Sequence, residues 1–169
     1  MKKVLLLDTA IGTSNVGDHI IMECVEQELT PILAKAFVFH LPTHVPAFHN
    51  YAVWRNSFAV QNYSTCDYKF IGGSNILAKD MRTHYPQWNV NIFNCKPLSG
   101  SVCVGVGAGA GEHTDAYTTH LYRKILSHSY YHSVRDERGK RYVEDVLGLK
   151  AINTGCVTMW ALTPEFCTQ

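Results

Sequence analysis

Among the six cysteines there is no C-x-x-C pair, no apolar run approaches the length of a membrane span, and neither charge sign is in surplus over the 169 residues. Each absence excludes a class of protein. Cysteines scattered at 24, 66, 95, 103, 156 and 167, several inside apolar runs, suit free thiols in a reducing compartment better than a disulfide framework. A cytoplasmic protein is therefore expected. The opening Met1-Lys-Lys-Val-Leu-Leu-Leu-Asp8 is stopped by Asp8 after four apolar residues, too few for a signal peptide or a transmembrane segment. Fifteen Lys and Arg against 14 Asp and Glu leave a net charge of +1, so no bulk field recruits nucleic acid or an anionic membrane. There is no internal repeat and no low-complexity tract, and the tail from Leu162 to Gln169 carries no helix signal.

What remains is an ordinary globular composition, 46% apolar and 17% charged, in a chain of single-domain size. Val4–Leu7 reads as a strand covered on both faces. From there an amphipathic run follows, its face traced by Ile21, Val25, Leu29 and Ile32, with Ile20, Cys24 and Leu33 beside it. Further strands are expected at 36–41, 68–71, 101–104, 130–134 and 151–153, with a Pro- and His-rich loop over 42–50. Helices are expected over 115–128, capped by Thr114 or Asp115, and over 137–147, ended by Gly148. Alternation of this kind predicts an α/β fold, a doubly wound and mostly parallel, Rossmann-like sheet.

In such a sheet the carboxyl ends of the strands face one crevice. Four small or polar clusters fall there: Asn15 to Asp18, Gly72-Gly73-Ser74-Asn75, the run from Gly105 through Gly107 and Gly109 to Gly111, and Arg135-Asp136-Glu137. Asn15 and Gly17 tolerate positive φ and close backbone approach. Asp18 stands where it could cap the helix or act on a substrate hydroxyl. Exposed amides at the glycines favour an anionic ligand, and Arg135 adds a bidentate clamp unless it is taken up by Asp136 or Glu137. The Gly72-Gly73 pair reads equally well as a plain tight turn. His113, just past the glycine run, is a candidate proton shuttle or a simple loop residue.

The motifs resemble a known family. Asn15-x-Gly17-Asp18 after a first strand, Phe70-Ile-Gly-Gly-Ser-Asn-Ile-Leu77, Ser133-Val-Arg-Asp-Glu137, and Asn153-Thr-Gly-Cys-Val-Thr-Met-Trp160 with Leu162-Thr-Pro-Glu165 are similar to the polysaccharide pyruvyl transferases. The third-strand turn departs from that pattern, reading Gly-Gly-Ser in place of three glycines. The resemblance implies one lobe, residues 1–169, of a longer two-lobed GT-B-like enzyme. It implies transfer of pyruvyl from phosphoenolpyruvate to a sugar hydroxyl as a ketal, with no activity in this lobe alone. No cofactor beyond the donor substrate is implied, the partners are a small-molecule donor and a sugar acceptor, and a homo-oligomer stays open. By motif position Asp18, Arg135 and His113 take catalytic roles. Asn15, Gly17, Gly72, Gly73, Ser74, Asn75, Gly107 and Asp136 take binding roles, and no metal is called for.

Three other readings compete. Gly105-Val-Gly107-Ala-Gly109-Ala110 fits G-x-G-x-x-A of a dinucleotide-binding oxidoreductase, although Asp136 lies 31 positions on, against the ~20 expected for a ribose-binding acid. His40, His44 and His49, with His84 or Cys66, could gather a zinc ion, although their spacing fits no closed zinc module. Trp54, Trp88 and Tyr85 could instead stack on sugars in a non-catalytic carbohydrate-binding lobe.

Overall fold

A computed structural model describes residues 1–82, 87–109 and 114–162. Strand β1 (Lys2–Asp8) lies at the centre of a parallel four-stranded sheet ordered β2 (Ala36–Pro42), β1, β3 (Tyr68–Gly72), β4 (Val102–Val104). Strands β5 (His132–Val134) and β6 (Ala151–Asn153) form a parallel pair. Hydrogen bonds from Val106 N–H to the Ser133 carbonyl and from Gly105 N–H to Ser133 Oγ join that pair to the β4 side. The sheet reverses direction of growth at β1, with β2 on one flank and β3 on the other, and such switch points are where ligands bind in open α/β sheets.

Val4 to Leu7 have no exposed surface, as a strand covered on both faces requires. Alternation turns Leu5 and Leu7 toward one core and Leu6 toward the other. The first core includes Val53 of α2 (Asn50–Trp54), Val60 of α3 (Phe58–Ser64), and Leu121, Tyr122 and Ile125 of α4 (Ala116–Ile125). It also takes Tyr142 and Val143, just beyond α5 (Glu137–Arg141). The second is Leu6 and Val104 with Met22 and Val25 of α1 (Val16–Leu33) and Val157 of α6 (Val157–Trp160). Helices thus cover both faces, and the doubly wound α/β class is as expected.

Several local expectations change. Helices α2 and α3 occupy a stretch with no evident period, because five and seven residues are too few to display one. His49 initiates α2, its Nδ1 accepting from Tyr51 N–H at 3.2 Å. On α1 the buried line is Asp18, Met22 and Val25, while Ile20 and Ile32 are exposed. The expected helix over 137–147 is α-helical only to Arg141 and then widens into a π turn over Tyr142–Val146. A short helix, α6, follows β6 where none was signalled. Among the described residues no helix is long and apolar enough to cross a membrane. Cys24, Cys66, Cys95, Cys103 and Cys156 are free thiols, and Cys167 lies outside the described residues.

Candidate functional site at the strand switch point

The loop after β1 is organised by Asn15. Its Oδ1 accepts from Gly17 N–H at 3.1 Å and caps α1, while its Nδ2 donates to Asp18 Oδ2 at 3.1 Å. Asn15 has φ −75, so the positive φ of this loop falls on Gly12 instead. With the cap supplied by Asn15, Asp18 is released from that duty and turns its carboxylate inward, 2% exposed.

Four side chains meet that carboxylate. Asn15 Nδ2 and, at 3.4 Å, Thr13 Oγ1 donate to Oδ2, and Ser74 Oγ reaches Oδ1 at 3.0 Å. The fourth is His44, whose buried Nε2 lies 3.4 Å from Oδ2, within ion-pair range but without hydrogen-bond alignment. Ser74 Oγ is also 2.8 Å from Gln87 Oε1, which accepts from Asn75 N–H at 2.7 Å. A hydroxyl has one proton, so Ser74 donates to Asp18 or to Gln87, not to both at once.

Ser74 has φ +58, a conformation in which glycine is unstrained and any other residue costs roughly 1–2 kcal/mol. Here lies a physical reason for the departure from three glycines: the strained serine places a hydroxyl on Asp18 that glycine lacks. The two glycines before it serve packing. A Cβ on Gly72 would overlap Met22 Sδ, and one on Gly73, at φ +55, would overlap Ile21 Cγ2. They let α1 press against the end of β3, which brings Asp18 to Ser74.

A second group adjoins the first through Asn75. Arg135 Nη2 donates to Asn75 Oδ1 at 2.6 Å, and Arg135 Nε stands 3.6 Å from Asp136 Oδ2. Asp136 caps α5, its Oδ1 accepting from Gly139 N–H at 2.6 Å, so it is committed to the helix as well as to Arg135. Gly107 passes directly beneath the Arg135–Asn75 pair, where a Cβ would strike both side chains. The Arg135 side chain is 30% exposed.

Asn15, Gly17, Asp18, Gly72, Gly73, Ser74, Asn75, Gly107, Arg135 and Asp136 therefore converge, and His113 lies outside the described residues. Gln87 was missed, and His44 was read only as a candidate zinc ligand, not as a neighbour of Asp18. A Pro- and His-rich loop following β2, at the carboxyl edge of the sheet, was a signal for His44; Gln87 carried none.

The competing motifs fare differently. The glycine run does not open a helix at once, since α4 begins at Ala116, and its glycines are filled by the protein's own packing, Gly105 against Val157 and Gly107 against Arg135. The three histidines separate: His40 faces Asp8 and Glu26, His44 faces Asp18, and His49 caps α2. Trp88 is buried in the core and offers no stacking face, and Tyr85 and His84 lie outside the described residues. Trp54 is exposed and, with Tyr51 and Phe93, lines a cleft of about 1000 Å³ that shares no residue with the Asp18 group. Burial pushes the thiols of Cys24, Cys66, Cys95 and Cys103 up, so none of these four is a poised thiolate nucleophile.

Residues 15–168 match the family model of polysaccharide pyruvyl transferase. The chain belongs to that family. Neither a curated protein nor a solved structure matches it. For a polysaccharide pyruvyl transferase-like protein, the partly exposed Arg135 and the carboxylate at the switch point are the features whose chemistry calls for explanation.

Proposed function

We propose that this chain supplies the acceptor side of a pyruvyl transfer, acting as one lobe of a two-lobed, GT-B-like enzyme that is inactive without its second lobe. Phosphoenolpyruvate takes a proton at its methylene carbon, which makes C2 electrophilic. A sugar hydroxyl bonds to C2 while its proton passes to a base. The C2–O bond to phosphate then breaks, inorganic phosphate leaves, and a second sugar hydroxyl closes the ketal, giving up its own proton. The reaction needs a base at the acceptor and cations at the donor's phosphate and carboxylate.

The observation that carries this reading is the Asp18–His44 pair at the β1–β3 switch point. Buried and held by Asn15, Thr13 and Ser74, Asp18 is a positioning residue whose carboxylate, 3.4 Å from the imidazole, balances the charge that ring gains on taking a proton. His44 takes the acceptor proton. Arg135, aimed by Asn75, binds the donor's anionic groups, with Gly107 giving it room. His113 remains a further candidate for proton transfer.

Phosphate release from phosphoenolpyruvate in the presence of a sugar acceptor, measured on the complete protein, tests the assignment. His44→Gln lowers kcat by ~10²–10⁴-fold. Asp18→Asn lowers it comparably and alters the pH profile, whereas Arg135→Lys raises KM for phosphoenolpyruvate more than it lowers kcat. Wild-type rates in His44→Gln and Asp18→Asn would overturn it.

A further inference from the structure

We propose that Asp8, Glu26 and His40 form a binding site for a divalent transition-metal ion, independent of the Asp18 group. The three residues come from three elements: Asp8 closes β1, His40 lies in β2, and Glu26 projects from α1. Sheet register brings the first two together. Leu6 is the parallel partner of His40, and Asp8 is two residues further along. Asp8 and His40 therefore leave the same face of the sheet as Leu6 and Val38, which pack in the core beneath α1. Glu26 descends onto that face from the helix.

His40 Nδ1 is 3.3 Å from Asp8 Oδ2 and 3.8 Å from Glu26 Oε1, and the three donor atoms lie within 4.8 Å of one another. Tetrahedral ligands 2.0–2.2 Å from a zinc ion stand ~3.4 Å apart, so the His40–Asp8 edge already has the needed length. Glu26, its side chain 45% exposed, is free to rotate through the remainder.

The hydrogen-bond count points the same way. An imidazole Nδ1 carries at most one proton and serves one carboxylate at a time. Among the described residues His40 is the ion-pair partner shared by both Asp8 and Glu26, which leaves two carboxylates facing one ring nitrogen. A divalent ion between the three donor atoms removes that conflict. Asp8 is moreover buried, and its Oδ1 accepts from Ala10 N–H at 2.7 Å, which aims Oδ2 at the shared point. Outer hydrogen bonds of this kind orient ligands in metal centres.

One nitrogen and two carboxylate oxygens disfavour calcium and magnesium, which take oxygen ligands, and suit zinc or manganese. With His40 39% exposed, water completes the coordination. The ion ties α1 to both β1 and β2.

The test is calorimetric titration of the metal-stripped full chain with zinc, together with the imidazole nitrogen resonances. The wild type is expected to bind one equivalent saturably and to shift the His40 Nδ1 resonance. His40→Gln abolishes this binding, and Glu26→Gln, an isosteric change at a half-buried side chain, weakens it by about tenfold or more. His120→Gln, an exposed histidine on α4, leaves it unchanged. Absence of saturable binding in the wild type, binding that survives His40→Gln or Glu26→Gln intact, or equal loss in His120→Gln overturns the proposal. Melting temperatures of the variants confirm that each is folded.

Discussion

Two aspartate–histidine pairs stand at nearly the same separation in this protein, Asp18–His44 at 3.4 Å and Asp8–His40 at 3.3 Å, yet their surroundings differ in kind. The Asp18 carboxylate is ringed by neutral donors from Asn15, Thr13 and Ser74, which satisfy its lone pairs and leave the imidazole as its one basic neighbour among them. Asp8 meets one backbone amide, one imidazole and, through it, a second carboxylate. The first setting suits proton transfer. The second is short of positive charge and suits a cation. The pair itself does not determine its use; the neighbours that share its lone pairs and protons do.

The largest effect that separates the two is on turnover. His44→Gln is expected to reduce phosphate release ~10²–10⁴-fold in the complete protein while leaving zinc binding intact. Equal loss of zinc binding in that variant would merge the two sites and break the comparison.

Next comes the glycine that sets the distance between α1 and β3. Gly73→Ala combines a positive φ with an overlap on Ile21 and is expected to cost about 2–4 kcal/mol in chemical denaturation. Ile21→Ala in the same chain should recover part of that loss, so the two changes are less than additive. The Asp18 group depends on this packing, and additive costs would show that α1 is not seated by Gly73.

A third histidine marks the limit of a pair with no carboxylate at all. His132 is fully buried, its Nδ1 accepting from Cys103 N–H at 3.2 Å and its Nε2 donating to the Ser127 carbonyl at 2.9 Å. Burial holds its pKa below the ordinary 6.5. The unfolded chain therefore takes up the proton first, so stability is complete above about pH 6.5 and falls as pH drops below it. Urea midpoints against pH check this, and His132→Gln is expected to flatten that part of the curve.

The smallest stability change is expected for Ser74→Gly. Loss of the hydroxyl bond to Asp18 and relief of the left-handed strain offset each other, leaving the variant within about 1 kcal/mol of the parent. Turnover nevertheless falls, because Asp18 loses a donor. A variant that is both clearly more stable and fully active would show that the serine is not there for Asp18.

Much of this was legible in the chain. The run Val4–Leu7, the turns at Gly72-Gly73 and Gly148, and the cap residue before α4 name the strands and helices through local rules of burial and backbone preference. Convergence of Asn15, Asp18, Ser74 and Arg135 follows from parallel topology, since the loops after β1, β3 and β5 share an edge. Helices α2 and α3 were not legible, being too short to show a period. His44 and Gln87 were not either, because their importance lies in which atom they approach.

The sequence by itself determined the α/β class, the strand order's raw material and the family, because hydrophobic period and turn chemistry act between residues close in the chain. Tertiary structure alone decided which aspartate met which histidine. Asp18 gained His44 and Ser74, while Asp8 gained His40 and Glu26, through sheet register and the seating of α1 on β3, and those depend on contacts between residues far apart in sequence that no local pattern records.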